Sequence, residues 1–244
     1  MKIALFGYGK MGKMVEELAI ERGHEVVLKI DVDNKNRIRP ENLKQADAVI
    51  EFTMPDAAKE NIAFCLNAGV PVVTGTTGWY AELPSIKELC AQKNGALLYA
   101  SNFSIGVNIL FALNKKLAQW MAQFPDYKVS IEEIHHAKKL DAPSGTALTL
   151  TEGVIQNNDE LKEWVCLPDG DKTIVPDDTI PVYFKRIGEV PGYHEVVYTS
   201  NIDRLLISHE AFNRKGFALG AVMAAEFIQN KKGVFTTEDL FQLK

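Results

Sequence analysis

The chain begins with KIALFGYGKMG, which runs from Lys2 to Gly12. The apolar segment Lys2–Phe6 leads directly into a glycine turn, which predicts a short buried β-strand followed by a tight loop. Met11, Val15 and Leu18 then recur at helical spacing. An amphipathic helix is therefore expected to follow the loop and to pack against the strand.

The three glycines of this loop have the spacing G-x-G-x-x-G of a dinucleotide-binding turn. Gly7 would allow the tight turn, Gly9 would let a pyrophosphate approach the backbone, and Gly12 would let the helix pack closely. A second predicted strand, 25–30, ends in Asp31, 19 residues after Gly12, where a carboxylate can accept hydrogen bonds from a ribose. The pattern predicts a Rossmann-type domain that binds NADH or NADPH; the alternative is a domain of this fold that binds no nucleotide.

The choice between the two cofactors depends on the residues around Asp31. Its carboxylate would repel a 2′-phosphate, and Val32 rather than an arginine follows it. Lys35, Arg37 and Arg39 lie just downstream and could offset that repulsion. NADH preference and dual use are therefore both open.

Strands and helices continue to alternate as far as residue 103. Apolar runs that start at Ala48, Val70 and Ala96 are separated by helical patterns, which predicts a parallel sheet with helices on both faces. The loops 75–78 and 100–103 follow such strands, at the sheet edge where ligands bind, although each could be an ordinary loop. The candidate cofactor-binding residues are Gly7, Tyr8, Gly9, Lys10, Met11, Gly12, Asp31, Gly75, Thr76, Thr77, Ala100, Ser101, Asn102 and Phe103.

The pattern changes in the second half of the chain. The expected elements are a helix over 106–124, a strand over 127–135, a helix over 146–156, a polar loop over 157–178, strands over 180–186, 193–199 and 204–210, and a helix over 215–229. The four strands would form one mixed sheet. A single helix is thin cover for it, so other subunits are expected to bury the remainder. The last helix is expected to dock on the first domain.

These elements predict an α/β protein with two domains. An N-terminal Rossmann-type parallel sheet, the dinucleotide-binding domain, would comprise residues 1–103 and 216–244. A smaller α+β domain with a mixed sheet, for substrate binding and oligomerisation, would comprise residues 104–215.

A second informative stretch, from Glu132 to Ala147, reads EEIHHAKKLDAPSGTA. Adjacent imidazoles at 135 and 136 beside lysines at 138 and 139 combine proton donors with an anion site. The segment 143–146 has the form of a helix start, where serine can cap and glycine exposes backbone N–H groups to an anion. Taken singly, the histidines could lie in a solvated loop and Pro-Ser-Gly could be a plain turn. Together they predict a site for a small substrate that carries more than one carboxylate.

Composition excludes several classes of protein. A net charge of −5 and a pI near 5.6 argue against a nucleic-acid binder. Cys65, Cys90 and Cys166 are odd in number and lack a CxxC pattern, which is typical of reduced thiols in a cytoplasmic protein and predicts neither disulfides nor a metal site. The N-terminal residues are expected to form a strand rather than a signal peptide, and no apolar run in the sequence has the length of a membrane span.

The stretch from Glu133 to Ala147 resembles the signature E-x-H-H-x-x-K-x-D-A-P-S-G-T-A of the dihydrodipicolinate reductase family. Supporting segments are Glu51-Phe52-Thr53, 75–78, 102–104 and 186–195, so the resemblance covers essentially the whole chain. The chain departs from many members in its shorter glycine loop, in Val32, and in a short segment between Asp31 and Asp47.

The resemblance implies a reductase of the bacterial diaminopimelate–lysine pathway. It would use NADH or NADPH to reduce 4-hydroxy-tetrahydrodipicolinate at C4 with loss of water, as a homotetramer whose substrate-domain sheets pack together. His135 is implied as the acid/base residue and Lys139 as a second proton donor. The implied substrate-binding residues are His136, Lys139, Ser144, Gly145 and Thr146. The alternatives are another amino- or keto-acid dehydrogenase and a non-catalytic NAD(H)-sensing protein.

Overall fold

The computed structural model describes residues 1–243, which form two compact units. The first unit contains residues 1–105 and the C-terminal segment that starts at Lys215, and the second unit contains residues 106–214. The elements in chain order are β1 (Lys2–Phe6), α1 (Lys10–Glu21), β2 (Glu25–Ile30), α2 (Pro40–Leu43), β3 (Ala48–Glu51), α3 (Pro55–Ala68), β4 (Val72–Thr74), α4 (Leu83–Gln92), β5 (Ala96–Tyr99), α5 (Ile105–Met121), β6 (Lys128–His135), α6 (Gly145–Ile155), β7 (Glu163–Pro168), β8 (Thr179–Arg186), β9 (Gly192–Thr199), β10 (Arg204–Ala211), α7 (Lys215–Ile228), β11 (Gly233–Phe235) and α8 (Thr237–Phe241).

The first unit is built on a six-stranded sheet in the order β11-β5-β4-β3-β1-β2, and every strand pair in it is parallel. Its central strands are short and fully buried because helices cover both faces, so they read as continuous apolar runs. Helices α1 and α7 pack on one face, and α3 and α4 pack on the other. The carboxyl ends of all strands lie at one edge, which places the loops after β1, β3 and β4 side by side.

Helix α7 packs on this sheet through small residues, which confirms the predicted docking of the last helix on the N-terminal sheet. It contacts α1 and strands β3, β4 and β5. Ala218, Ala221 and Ala225 are fully buried in the contact. The closest approach is at Gly220, where an added Cβ would lie 1.8 Å from the backbone oxygen of Phe103. Only glycine fits at this position.

The second unit contains a five-stranded mixed sheet in the order β10-β9-β6-β8-β7. Strand β6 is parallel to β8 and antiparallel to β9, so it lies at the centre of the sheet. One face is covered by α5 and α6, which contribute Leu117, Leu150 and Val154 to a core with Ile131 and Val182. The predicted fold class, a Rossmann-like parallel sheet with a second mixed sheet, is confirmed.

Three details of the prediction were wrong. The segment 157–178 is not all loop, because β7 forms within it as an edge strand whose outer residues Glu163 and Trp164 are exposed. Two helices, not one, cover the mixed sheet, since α5 contributes buried side chains to its core. Strand β11 and helix α8 follow the last predicted helix, and both are too short for a periodic pattern to mark them.

None of the helices within residues 1–243 combines the length and the hydropathy that a bilayer span requires.

The close contact at Gly220 predicts that a larger residue there destabilises the protein. Replacement of Gly220 by alanine forces a Cβ into the Phe103 backbone and should lower the free energy of unfolding by about 1–3 kcal/mol. Gly216→Ala is the matched control in the same helix, since its Cβ would meet Ser104 at an ordinary 3.6 Å. The control should be neutral or slightly stabilising because alanine is the better helix former. Urea unfolding measures both variants, and equal midpoints would show that the close approach does not matter.

Candidate active site

The buried face of strand β6 changes from apolar to ionisable along its length. Val129, Ile131, Glu133 and His135 alternate with more exposed residues and point to the covered side of the sheet. The first two belong to the core under α5 and α6. The last two, with 1% and 8% of their surface exposed, place a carboxyl group and an imidazole at the carboxyl end of the strand.

Glu133 is the centre of a polar cluster in the second unit. Its two carboxylate oxygens each lie 3.1 Å from the backbone N–H of Ser144, which donates to them from the start of α6. Arg186, the last residue of β8, donates from Nη2 to Oε1 at 2.8 Å. One buried carboxylate therefore joins strand β6, strand β8 and the N-terminus of α6.

Two histidines complete this cluster. Nδ1 of His135 lies 3.2 Å from Oε2 of Glu133, at ion-pair distance but without an aligned hydrogen bond. His194 is paired with Glu133 in the register of β9 and β6, and its Nε2 lies 3.1 Å from Oγ of Ser144. The two imidazole rings pack edge to face with their centroids 5.0 Å apart. The cluster therefore brings an acid, two imidazoles, a guanidinium and a helix cap together.

The environment sets the charges of this cluster. Burial alone would raise the pKa of Glu133, but its interactions with His135, Ser144 and Arg186 outweigh burial and lower the pKa to about 2. Burial, reinforced by the electrostatic interaction with the adjacent His135, lowers the pKa of His194 to about 3. At neutral pH the cluster therefore contains an ionised carboxylate beside an uncharged His194.

Glu133, His135 and His194 have ligand atoms within 4.8 Å of one another, a set that transition metals accept. Both oxygens of Glu133 already accept hydrogen bonds, and the Arg186 guanidinium would repel a cation at the same carboxylate. This arrangement favours a hydrogen-bonded network over a metal centre, and we propose no metal ligand here.

Helix α6 begins at the cluster with an accessible first turn. Ser144 is its N-cap, and the Ser144 hydroxyl oxygen accepts a hydrogen bond from the N–H of Ala147 at 3.2 Å. Gly145 follows as the first helical residue and is exposed, and a Cβ added there would meet nothing within 4 Å. A small anion could approach the first-turn amides of Gly145 and Thr146, where the helix dipole favours negative charge.

The predicted lysine donor is already held by a carboxylate. Nζ of Lys139 lies 2.8 and 2.7 Å from the two oxygens of Asp141. Burial opposes ionisation of Asp141, but Lys139 outweighs it and lowers the pKa of Asp141. Arg186 donates to the backbone oxygen of Asp141 at 2.6 Å, which links this pair to Glu133. His136 is half-buried, and its backbone oxygen accepts from the N–H of Lys139 at 3.1 Å.

Several residues of this site were missed from the sequence. Glu133 and Asp141 lie inside the predicted motif but received no role, although the alternation of β6 could have placed Glu133 on the same face as His135. Arg186 and His194 lie 53 and 61 residues after Glu133, and only strand register brings them to it.

The glycine loop of the first unit shows three different environments. Gly7 has φ +95°, and a Cβ there would lie 1.9 Å from the Phe52 backbone oxygen. A Cβ at Gly12 would lie 2.3 Å from the Gly7 backbone oxygen, so the helix packs against the loop itself. Gly9 has nothing within 4 Å of an added Cβ, and no side chain caps α1 there. The backbone at Gly9 is therefore open to an incoming group.

A cavity of about 350 Å³ lies beside this loop at the carboxyl edge of the sheet. Its lining residues are Gly9, Lys10, Met11, Phe52, Thr53, Pro55, Gly75, Thr76 and Thr77. Glu51, which is fully buried, supports its wall by accepting hydrogen bonds from the hydroxyl groups of Thr53, Thr74 and Thr76. The structure thus brings two predicted cofactor loops, after β1 and β4, to one cavity.

The remaining predicted cofactor residues lie outside that lining. The Tyr8 hydroxyl donates to Glu16, so its ring is held against α1. Asp31 is exposed and its Oδ1 accepts from the N–H of Val32 at 2.9 Å. In the segment 100–103, Ser101 is exposed, and the other residues, Ala100, Asn102 and Phe103, are buried.

The lowered pKa of His194 predicts acid sensitivity. The ordinary pKa is 6.5, so between pH 6.5 and 3 the unfolded chain binds a proton that the folded chain does not. The free energy of unfolding should therefore fall by about 1.4 kcal/mol per pH unit as the pH decreases. Above pH 6.5 this effect is absent.

His194→Gln removes that proton uptake. Between pH 6.5 and 4.5 its stability should decline less than that of the natural protein by about 2–3 kcal/mol. Urea unfolding at a series of pH values measures the two slopes. Parallel curves would show that His194 is not kept neutral by the fold.

Family models and curated relatives match this chain along nearly its whole length. Two family models match, "Dihydrodipicolinate reductase, N-terminus" over residues 1–103 and "Dihydrodipicolinate reductase, C-terminus" over residues 106–241. The 4-hydroxy-tetrahydrodipicolinate reductase of Christiangramia forsetii is 47% identical over 240 residues, which are 98% of this chain and 97% of that protein. The enzyme of the same name from Natronomonas pharaonis is 35% identical, over 95% of this chain and 96% of that protein.

Solved structures share the fold. A dipicolinate-bound dihydrodipicolinate reductase from Paenisporosarcina sp. TG-14 aligns with a TM-score of 0.76 at 24% identity, over 97% of each chain. An amine dehydrogenase from Mycobacterium smegmatis aligns with a TM-score of 0.61 at 12% identity, over 98% of this chain and 95% of that chain. The resemblance drawn from the sequence is confirmed: the chain belongs to the dihydrodipicolinate reductase family.

Proposed function

We propose that the chain reduces 4-hydroxy-tetrahydrodipicolinate to tetrahydrodipicolinate, with loss of water, in diaminopimelate and lysine biosynthesis. Membership of the family and the names of its curated relatives support the reaction. The main structural support for this site is that Glu133 contacts two groups. It reaches both the imidazole of His135 and the N-terminus of α6, so a proton donor and an anion site share one rigid support.

The second unit is proposed to bind a small dicarboxylate. The residues assigned to the substrate carboxylates are His136, Lys139, Ser144, Gly145 and Thr146. Backbone amides at a helix start and an ammonium group are a suitable combination for carboxylate oxygens. The dipicolinate bound to the related structure is a dicarboxylate of this size, which supports the assignment.

The chemistry assigned to His135 and Lys139 is proton donation. When bound, the reduced nicotinamide supplies a hydride, for which C4 of the substrate ring is the proposed acceptor. Once the 4-hydroxyl group has left as water, C4 is conjugated with the C=N group, so hydride addition moves negative charge toward the ring nitrogen, and a proton placed there stabilises it. His135 is the proposed acid, and Lys139, held by Asp141, is the second donor.

The first unit is proposed to be the dinucleotide-binding domain. The open backbone at Gly9 and the cavity beside it fit a pyrophosphate at the start of α1. We assign nucleotide contacts to residues 7–12, Asp31, 75–77 and 100–103. The second unit would then serve for substrate binding and oligomerisation.

We propose that NADH is preferred to NADPH. Asp31 would repel a 2′-phosphate, and two of the nearby cations, Lys29 and Lys35, are already paired with carboxylates. Lys29 forms an ion pair with Glu16 at 2.6 Å, and Lys35 lies 3.5 Å from Glu60. Their charges therefore offset the repulsion from Asp31 only in part.

The proposed assembly is a cytoplasmic homotetramer with no nucleic-acid or membrane partner. Leu205 and Leu206 are 44% and 38% exposed on the edge strand β10. An edge strand with exposed leucines supports contact with another copy of the chain.

Replacement of the proposed acid gives the first functional test. His135→Gln should lower kcat by about 10²–10⁴-fold with a much smaller effect on KM, because the group acts in the transition state. Lys139→Ala should impair both parameters, since it would also bind a carboxylate. The assay follows NADH absorbance with and without the cyclic substrate.

The same assay separates the alternatives. Oxidation of NADH with other amino or keto acids instead of the cyclic substrate would indicate a different dehydrogenase. Tight NADH binding without turnover would indicate a sensor. An unchanged kcat in His135→Gln would remove this residue from the mechanism.

Cofactor preference is tested at Asp31. The protein should have a higher kcat/KM with NADH than with NADPH, and Asp31→Ser should lower the KM for NADPH about 10-fold by removing a like charge. Asp33→Ser, which removes a neighbouring exposed carboxylate, is the control and should change little. Equal effects of the two substitutions would indicate general electrostatics rather than a specific contact.

A further inference from the structure

We propose that Glu133 is the positioning residue of the reaction, because it orients the proton-donating imidazole of His135 and fixes its distance from the anion site at α6. The inference rests on the proposed function, in which His135 donates the proton. It adds a residue that does not touch the substrate and acts through its neighbours.

The two ring nitrogens of His135 face in different directions. Nδ1 faces Oε2 of Glu133 at 3.2 Å, inside the protein. Nε2 faces the other way, toward Gly192, where an added Cβ would lie 3.2 Å from it. A carboxylate beside one nitrogen therefore leaves the other nitrogen to exchange a proton. Gly192 keeps that second edge free of a side chain.

Glu133 carries a negative charge throughout the neutral pH range. Its side chain is fully buried, yet the hydrogen bonds from Ser144 and Arg186 keep it ionised, with a pKa of about 2. A buried carboxylate that stays ionised is a fixed negative charge in a medium of low polarity, where its effect on a neighbouring imidazole is larger than in water. This charge lies next to Nδ1 of His135, at 3.2 Å.

The same carboxylate is also connected to the other groups that are proposed to bind the substrate. Ser144, which donates its N–H to Glu133, is the cap that begins α6 at Gly145. Arg186 contacts Glu133 and also the backbone of Asp141, whose side chain holds Lys139. A change at Glu133 should therefore alter the geometry of both proton donors.

The test compares Glu133→Gln with Glu132→Gln. Both replace a carboxylate by an amide on β6, but Glu132 lies on the opposite, more exposed face of the strand. Glu133→Gln should lower kcat at least about 10-fold, with a smaller rise in KM because the carboxylate also supports α6 and the pair of Asp141 with Lys139. The pH at which kcat falls on the alkaline side should move to lower pH, since the imidazolium loses its adjacent charge. Glu132→Gln should change neither quantity.

Glu133→Asp keeps the charge and shortens the side chain. It should retain the pH profile of the natural protein even where kcat is reduced. A structural role alone predicts instead that both Glu133 variants lose thermal stability and that the pH profile of the remaining activity does not move. That result would overturn the inference, as would loss of the folded state in both variants.

An independent measurement uses the unmodified protein. Nitrogen-15 spectra of the imidazoles, assigned by comparison with His135→Gln, report which ring nitrogen carries the proton when His135 is neutral. A proton on Nδ1, facing Glu133, supports the inference, and a proton on Nε2 overturns it. Failure of the natural protein to reduce the cyclic substrate would instead reject the proposed function, so the two failures are distinguishable.

Discussion

A carboxylate removed from water must be supplied with donors, and the arrangement of the second unit follows from this requirement at Glu133. An unpaired buried carboxylate would cost several kcal/mol, and its usual response is to take up a proton. Here one guanidinium and one helix-capping amide supply the donors. Because these donors come from β8 and α6, the need to satisfy one charge fixes the relative positions of three elements.

The first unit meets the same requirement differently. Glu51, at the end of β3, is fully buried and accepts hydrogen bonds from three threonine hydroxyl groups. In both units a buried acid near the carboxyl end of a central strand holds the loops that surround a proposed ligand site. The donors differ in kind, since Glu51 is surrounded by neutral hydroxyl groups and Glu133 by a cation and two imidazoles. Only the second arrangement is suited to influence proton transfer.

The sequence predicted much of the fold because its signals are local. Buried parallel strands such as β3 and β4 are short apolar runs between helices. Gly23 and Gly69, both with positive φ, mark the ends of α1 and α3. Strand β7 was not predicted because its apolar run, residues 164–167, is only four residues long and lies within a polar, Asp-rich segment that indicated a loop. Strand β11 has only three residues, so no periodicity could be detected.

The site was predictable to the extent that it is continuous in sequence. The residues from His135 to Thr146 lie on one strand end, one loop and one helix start, so their types alone indicated a proton donor and an anion site. Arg186 and His194 reach the same cluster from β8 and β9, and pairing registers cannot be derived from composition. The burial of Glu133, on which its proposed role depends, is likewise a property of the assembled sheet.

The packing of α7 has a consequence for biosynthesis. This helix covers Val73 and Leu98 on the sheet of the first unit. In the chain, the whole second unit lies between these strands and α7. On the ribosome, the nascent first unit therefore keeps part of an apolar face uncovered until α7 has emerged. The second unit, which is continuous in sequence, can complete its core earlier, so the order of maturation is the reverse of the order of translation.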